Sequence, residues 1–302
     1  MKRYSIGVDY GTGSARTILI DITNGQIVAM EVYPYVDGVI DSRLPTHNHP
    51  LPPDWALQNP QDWINALIFG VQSVLKQSGV RPEEIVGLGI DFTSCTILPV
   101  TKNGKPLNQD INFANRPHAW PKLWKHHAAQ PQADRINRLA VERNEQWLSR
   151  YGGKLSSEWF LPKVLQVLEE DPECYQRADY FIEGADWVVW QLTGHLVRNA
   201  CSAGYKAVWH KQNGFPSPDY LKALHPQLSD LFIQKMAGSI LPPGHQAGKL
   251  LPYWAEKLGL QIGLPIAVPI IDAHAAVWGA GIVQPGTMLM IMGTSTCHML
   301  LA

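Results

Sequence analysis

Two short runs of small, hydroxylated residues stand at opposite ends of the chain: Asp9-Tyr10-Gly11-Thr12-Gly13-Ser14-Ala15-Arg16 and Met292-Gly293-Thr294-Ser295-Thr296. Small residues at a turn let successive backbone N–H groups point outward together and bind an anion, and the Thr12 and Ser14 hydroxyls add donors. Asp9, just before the first turn, is placed to hold Mg2+ through water, since Mg2+ favours a few carboxylates together with phosphate oxygens. The same run also reads as a plain hairpin whose glycines supply positive φ. Two facing loops of this kind would clamp one polyphosphate, although an echo this short also arises by chance.

Further candidates lie between these runs. Asp272 ends the apolar run Leu264–Ile271, where a carboxylate at a strand's C-terminal end can accept a proton from a substrate hydroxyl or, alternatively, cap the following helix. Asp91 has the same placement and the same ambiguity. Asp186, before the run Trp187–Gly194, reads as a helix cap. Lys206 sits among small and apolar residues, where it either snorkels to water or donates to a bound hydroxyl or carbonyl oxygen. Trp120, Trp124, Trp147, Trp159, Trp187, Trp190 and Trp209 fall in mixed aromatic and polar stretches. Sugar sites use such rings, and so do ordinary cores.

The elements that must position these groups follow from periodicity. Tyr4, Ile6 and Val8 alternate with Ser5, Gly7 and Asp9, which predicts a strand; Thr17–Asp21 is β-branched and predicts a second. Asn24-Gly25 predicts a type I′ hairpin into a third strand at Gln26–Tyr33. A three-strand meander argues against a dinucleotide loop, which must lead into a helix, and Arg16 occupies the place of the third glycine. Residues 60–78 predict a helix, with Pro60 in its first turn, Trp63, Leu67, Val71 and Leu75 along one face, and Gly79 as its stop. Residues 85–91 predict a buried strand, and residues 96–107 a hairpin turning at Asn103-Gly104. From about 112 to 240 the pattern is mainly helical, with helices near 132–148, 158–170 and 186–193. An apolar strand to Asp272, a small-residue helix and a final hairpin complete the order.

The composition is globular: 302 residues, 45% hydrophobic, 17% charged and net charge −1. No basic surplus points to nucleic acid or an anionic membrane surface, and no apolar run reaches the ~18 residues of a membrane span. The N-terminal pattern, interrupted by Gly7 and Asp9, predicts no secretory leader and hence a cytoplasmic protein. Cys95, Cys174, Cys201 and Cys297 form no C-x-x-C pair, so neither a zinc knot nor a disulfide framework is expected.

The run Asp9–Arg16, the strand ending Asp272-Ala273-His274-Ala275 and Gly293-Thr294-Ser295 together resemble the FGGY family of carbohydrate kinases, and within it the kinases of L-ribulose. The stretches DFTSCTILPV, PHAWPKLWKHHAAQ, RYGGKLSSEW, ADWVVWQLTG, CSAGYKAVWHK and MGTSTCHMLLA carry the closer likeness through the whole chain. The resemblance implies an α/β, ribonuclease H-like (actin-like) fold with a helical insertion and a second lobe cut short. It implies ATP-dependent phosphorylation of L-ribulose to its 5-phosphate in arabinose catabolism, with ATP and Mg2+. Another ketopentose or polyol kinase, or a non-catalytic sugar-binding protein, is the alternative. Asp272 matches the catalytic base and a sugar contact, Lys206 and Ser94 further sugar contacts. Gly11, Thr12, Gly13, Ser14 and Arg16 match the first phosphate motif, Gly293, Thr294 and Ser295 the second, and Asp9 the Mg2+-side carboxylate. Residues 1–285 would form the sugar-binding domain and 286–302 the first hairpin of the ATP-binding domain. Little kinase activity is expected of the chain alone, apolar surface is expected near 277–302, and a homodimer is admitted.

Overall fold

A computed structural model of the chain describes residues 3–48, 50–292 and 296–301. β1 (Tyr4–Tyr10), β2 (Ser14–Asp21) and β3 (Gln26–Pro34) form the expected antiparallel meander. Tyr4, Ile6, Val8 and Tyr10 all point into the core, as two-residue alternation requires. The β2–β3 turn is wider than the expected type I′ form. Asp21 pairs with Gln26, and Gly25 (φ 74°) takes the left-handed region while Asn24 does not. Asp21 is the reason: its carboxylate accepts from the Thr23 N–H and hydroxyl, and its carbonyl from the Gly25 N–H.

α1 (Pro60–Ser78) has the predicted bounds. The Asn59 side chain caps it by accepting from the Gln61 N–H, and Gly79 at φ 66° closes it with a bond to the Leu75 carbonyl. β4 (Ile85–Phe92) then lies parallel to β1. β5 (Ile97–Val100) leaves the main sheet and opens the insertion, with α2 (Gln130–Glu142), α3 (Phe160–Glu170) and α4 (Pro172–Arg177). The helix expected over 132–148 stops at Glu142 because Asn144 turns left-handed (φ 54°), after which residues Gln146–Tyr151 form a tighter 3-10 turn. β6 (Tyr180–Glu183) returns to pair with β5 and leads into α5 (Gly184–Thr193). β7 (Val197–Asn199), α6 (Ala200–Lys206), α7 (Pro218–Leu224), α8 (Leu231–Gln234) and β8 (Ser239–Leu241) complete the insertion. Asp186 is the third residue of α5, in its first turn and not at its cap; its carboxylate accepts from the backbone and side-chain N–H groups of Asn199.

β9 (Gln246–Lys249), α9 (Pro252–Leu258), β10 (Pro265–Ala267) and β11 (Ile270–Ile271) rejoin the main sheet, whose order is β3-β2-β1-β4-β10-β9 with β11 also on β4. The single strand expected before Asp272 is thus two. Val268 donates to the His245 carbonyl instead of the ladder, and Pro269 has no N–H to give. α10 (Asp272–Gly279) follows, then the hairpin of β12 (Met288–Met292) and β13 (Thr296–Leu300). The expected apolar surface is present: Trp278, Val283, Met288, Met290 and Met292 are all exposed.

Two apolar clusters support this frame. One lies between the sheet, α1 and α5, where Phe92 stacks on Tyr10 and meets the edge of Trp63. The other fills the helical insertion around Phe160, Leu161, Val164, Leu165 and Tyr220. Gly70 lets α1 approach β2: a Cβ there would stand 2.2 Å from the Thr17 hydroxyl oxygen and 3.0 Å from its Cβ. Thr17 is buried and β-branched, so it cannot swing away freely. Gly70→Ala should therefore destabilise by about 1–3 kcal/mol despite alanine's better helix propensity. Adding Thr17→Ala should recover part of the loss. Thermal melts of the single and double variants check this, and an unchanged melt for Gly70→Ala would disprove the close packing.

Candidate active site

Parallel pairing brings three carboxylates to one edge of the sheet. Asp9 on β1 is the register partner of Asp91 on β4, and Ile270 of β11 pairs with the same Asp91, which places Asp272 at the next strand end. In an α/β sheet this C-terminal edge is where ligands bind. Asp9 is half-exposed and ion-paired to Arg16, its cross-strand neighbour on β2, at 3.3 Å. Burial pushes the Asp91 carboxyl up, and the adjacent Asp9, with which it shares a hydrogen bond, pushes it further. Asp272 is pushed up to about 6, first by burial and then by Asp9; the Ala273 N–H, donating to its Oδ1 at 2.7 Å, and Lys206 oppose the rise. Both readings of Asp272 therefore have a basis: it occupies the first turn of α10 and accepts from that turn, while remaining partly open at the edge.

The loop Gly11–Gly13, the first candidate phosphate motif, joins β1 to β2 at this edge. Neither glycine adopts positive φ, so the plain-hairpin explanation fails for both. Gly11 is needed for closeness, since a Cβ would lie 3.1 Å from the Ser14 carbonyl, and its N–H closes the hairpin onto that carbonyl. That N–H is consequently not free for an anion. A Cβ at Gly13 would meet nothing within 4 Å, so the space over the loop is open. Thr12 is held from below: Gln58 donates to its carbonyl at 2.8 Å, and Trp124 Nε1–H to its hydroxyl at 3.0 Å. With Oγ1 accepting, the Thr12 hydroxyl proton remains to be donated.

The third wall comes from the insertion. Lys206 ends α6, with its ammonium 5.3 Å from the Trp159 ring centroid, and it lies near enough to Asp272 to favour the charged carboxylate. Cys201 at the start of α6 shares a hydrogen bond between its Sγ and His274 Nδ1 at 2.6 Å, tying the helix of Lys206 to that of Asp272. Burial drives the two in opposite directions, the thiol up to about 11 and the imidazole down to about 4, so the pair is neutral. Ser94 lies on the loop after β4, three residues beyond Asp91, and is partly exposed.

Asp9, Gly11, Thr12, Gly13, Ser14, Arg16, Ser94 and Asp272 thus belong to one sheet edge and its adjoining loops, and Lys206 comes near Asp272 from the insertion. Gly293, Thr294 and Ser295 lie outside the described residues; β12 and β13, which flank them, pair as expected. Among the described residues no group of three His, Cys, Asp or Glu could hold a metal ion by itself; the half-exposed Asp9 carboxylate is of the type that would share a cation with phosphate oxygens through water. Residue types alone did not reveal Gln58 or the link from Trp124 to Thr12. They did not single out Lys163 either; the available signal was a lysine within the apolar run Phe160–Leu165.

The fold is an α/β sheet with its candidate site at the C-terminal edge, and comparison with known proteins makes the class specific. The N-terminal domain of the FGGY family of carbohydrate kinases matches residues 4–279, and the chain belongs to that family. It is 53% identical over 302 residues to the ribulokinase of Shouchella clausii, covering 100% of this chain and 54% of that protein. The ribulokinase of Anoxybacillus flavithermus is 52% identical over 300 residues, covering 99% and 53%. Among solved structures, xylulose kinase from Lactobacillus acidophilus superposes with a TM-score of 0.76 at 17% identity, covering 98% of this chain and 54% of that one. The likeness to that structure concerns the fold. The chain spans about half the length of the curated relatives it matches.

The carboxylate cluster makes a direct prediction. Asp9 raises both Asp91 and Asp272, so Asp9→Asn should lower both ionisations. Carboxyl-carbon NMR titration of the wild type and the variant reads this. Titrations that do not move would show that burial acts alone.

Proposed function

We propose that this chain is the sugar-binding half of a kinase that transfers the γ-phosphoryl group of ATP to O5 of L-ribulose, in arabinose catabolism and in the cytoplasm. The observation that carries the reading is the convergence of Asp272, Lys206 and the Thr12 loop on one sheet edge, in a chain 53% identical to a ribulokinase. The sugar lies between the insertion and the edge, with Lys206 donating to an oxygen of the ketopentose and the Ser94 hydroxyl making a further contact. The Asp272 carboxylate accepts the proton of the terminal hydroxyl as that oxygen attacks phosphorus in line, and ADP departs. Thr12 and Ser14 donate toward the phosphate oxygens, as do Gly293, Thr294 and Ser295 from the second loop, and Arg16 adds positive charge. Mg2+ beside Asp9 supplies neutralisation of phosphate charge when bound. Orientation of the two oxygens is the main contribution asked of the protein. Most of the adenine site falls to the half of the relatives' length that this chain does not span.

Four measurements test the proposal. In a panel of ketoses and polyols, L-ribulose should raise the melting temperature most; a larger shift with xylulose or ribitol would reassign the substrate. With L-ribulose and MgATP, turnover should need a C-terminal half supplied in trans, and near-normal turnover by the chain alone would refute the division of labour. Asp272→Asn should retain sugar binding and lose about 100-fold or more of that turnover, the range expected of a general base. If it keeps turnover, Asp272 is only a cap. Because the anionic form of Asp272 is the base and its ionisation lies at about 6, the wild-type rate should fall as pH drops through 6 and be level above it.

A further inference from the structure

We propose that Lys163 is a positioning residue whose single buried ammonium holds the sugar-side loop and the phosphate-side loop in register. α3 is sealed in the insertion core, and Lys163 has no exposed surface. Its Nζ donates to three backbone carbonyls: Cys95 at 2.6 Å, Leu123 at 2.8 Å and Lys122 at 3.3 Å. Three N–H groups meet three acceptors, so the ammonium is fully satisfied without a carboxylate partner. The first acceptor lies in the Thr93–Thr96 loop. Cys95 there is left-handed at φ 61°, a costly conformation for a residue with a side chain. The rest of the loop is fixed too: Thr93 N–H donates to the Tyr10 carbonyl, Gly184 N–H to the Thr96 carbonyl, and the two threonine hydroxyls share a hydrogen bond. Thr93, Cys95 and Thr96 are buried, and Ser94 alone keeps exposure. Fixing the Cys95 carbonyl therefore sets the direction of Ser94.

The other two acceptors precede Trp124, the residue whose Nε1–H holds the Thr12 hydroxyl. The path from Ser94 through Lys163 and Trp124 to Thr12 joins the two substrate-facing loops through one charged group. Stability alone gives little reason for that group. A buried ammonium loses its hydration, and well-packed apolar residues usually do as well or better at such positions. Its neighbours Leu161, Pro162, Val164 and Leu165 are all buried and apolar or nearly so, the pattern an apolar residue would continue.

The inference rests on the proposed sugar site, and its test keeps the two apart. L-ribulose is titrated calorimetrically into this chain as wild type, Lys163→Met, Lys163→Gln, Ser94→Ala and the Lys163/Ser94 double variants, with thermal melts of each. The Kd should rise about tenfold in Lys163→Met, the scale of a lost buried charged hydrogen bond, and less in Lys163→Gln, which keeps two N–H donors. The double variants should bind no more weakly than the weaker single, because Lys163 acts through Ser94. A cooperatively melting Lys163→Met that binds within about twofold of wild type, or effects that multiply in the double variant, would overturn the inference; a purely structural role gives the second result. If Lys163→Met does not melt cooperatively, the cycle on Lys163→Gln decides by the same criterion. Absence of L-ribulose binding by the wild type would overturn the functional reading and this inference with it, whereas normal wild-type binding with unaffected variants overturns this inference alone.

Discussion

The site depends on the parallel pairing of β1 with β4. Parallel strands end on the same side, so Asp9 and Asp91 become lateral neighbours, and β11 on the far side of β4 brings Asp272 to the same edge. Nothing in local sequence joins these residues. The pairing itself is held by packing below it: Tyr10 stacks on Phe92 at the ends of the two strands, and Trp63 of α1 closes against Phe92. Buried rings thus set the register, and register sets the distance between like charges.

Those charges set the electrostatics of the edge. Carboxylates gathered at a half-buried rim cannot all ionise at their ordinary pH, so proton affinity rises where burial and crowding are greatest. Arg16 neutralises Asp9 from one side, and Lys206 favours the charged form of Asp272 from the other. An acceptor poised near neutrality is what a proton-abstracting group needs, and the same environment makes a nearby cation welcome.

The insertion supplies what the sheet lacks. Its core is separate from that of the sheet, yet it reaches the edge through a few directed bonds: Trp124 to Thr12, Lys163 to Cys95, and Cys201 to His274. Each ties a loop or helix of one unit to a functional element of the other. The walls of the site are consequently held by hydrogen bonds in a low-dielectric setting, where they are stronger and misalignment costs more.

Local signals in the chain were strong enough to read the meander, the bounds of α1 and the turn between β1 and β2, and they named Asp9, Asp272 and Lys206 as candidates. These follow from two-residue alternation, from Asn59, Pro60 and Gly79 as stops and starts, and from residue chemistry. The errors fell where a contact distant in sequence overrode a local rule. Asp186 bonds Asn199 instead of capping, and the strand before Asp272 breaks because Val268 finds the His245 carbonyl. Of the two readings open for the first loop's glycines, positive φ does not hold; a Cβ at Gly11 would crowd the Ser14 carbonyl and one at Gly13 would face open space. By itself the sequence determined the chemical inventory and the short-range elements, because both depend on side chains a few positions apart. Only the tertiary structure decided which carboxylates share a proton environment and which lysine is sealed beneath the loops. Those are distances between residues remote in the chain, and packing alone sets them.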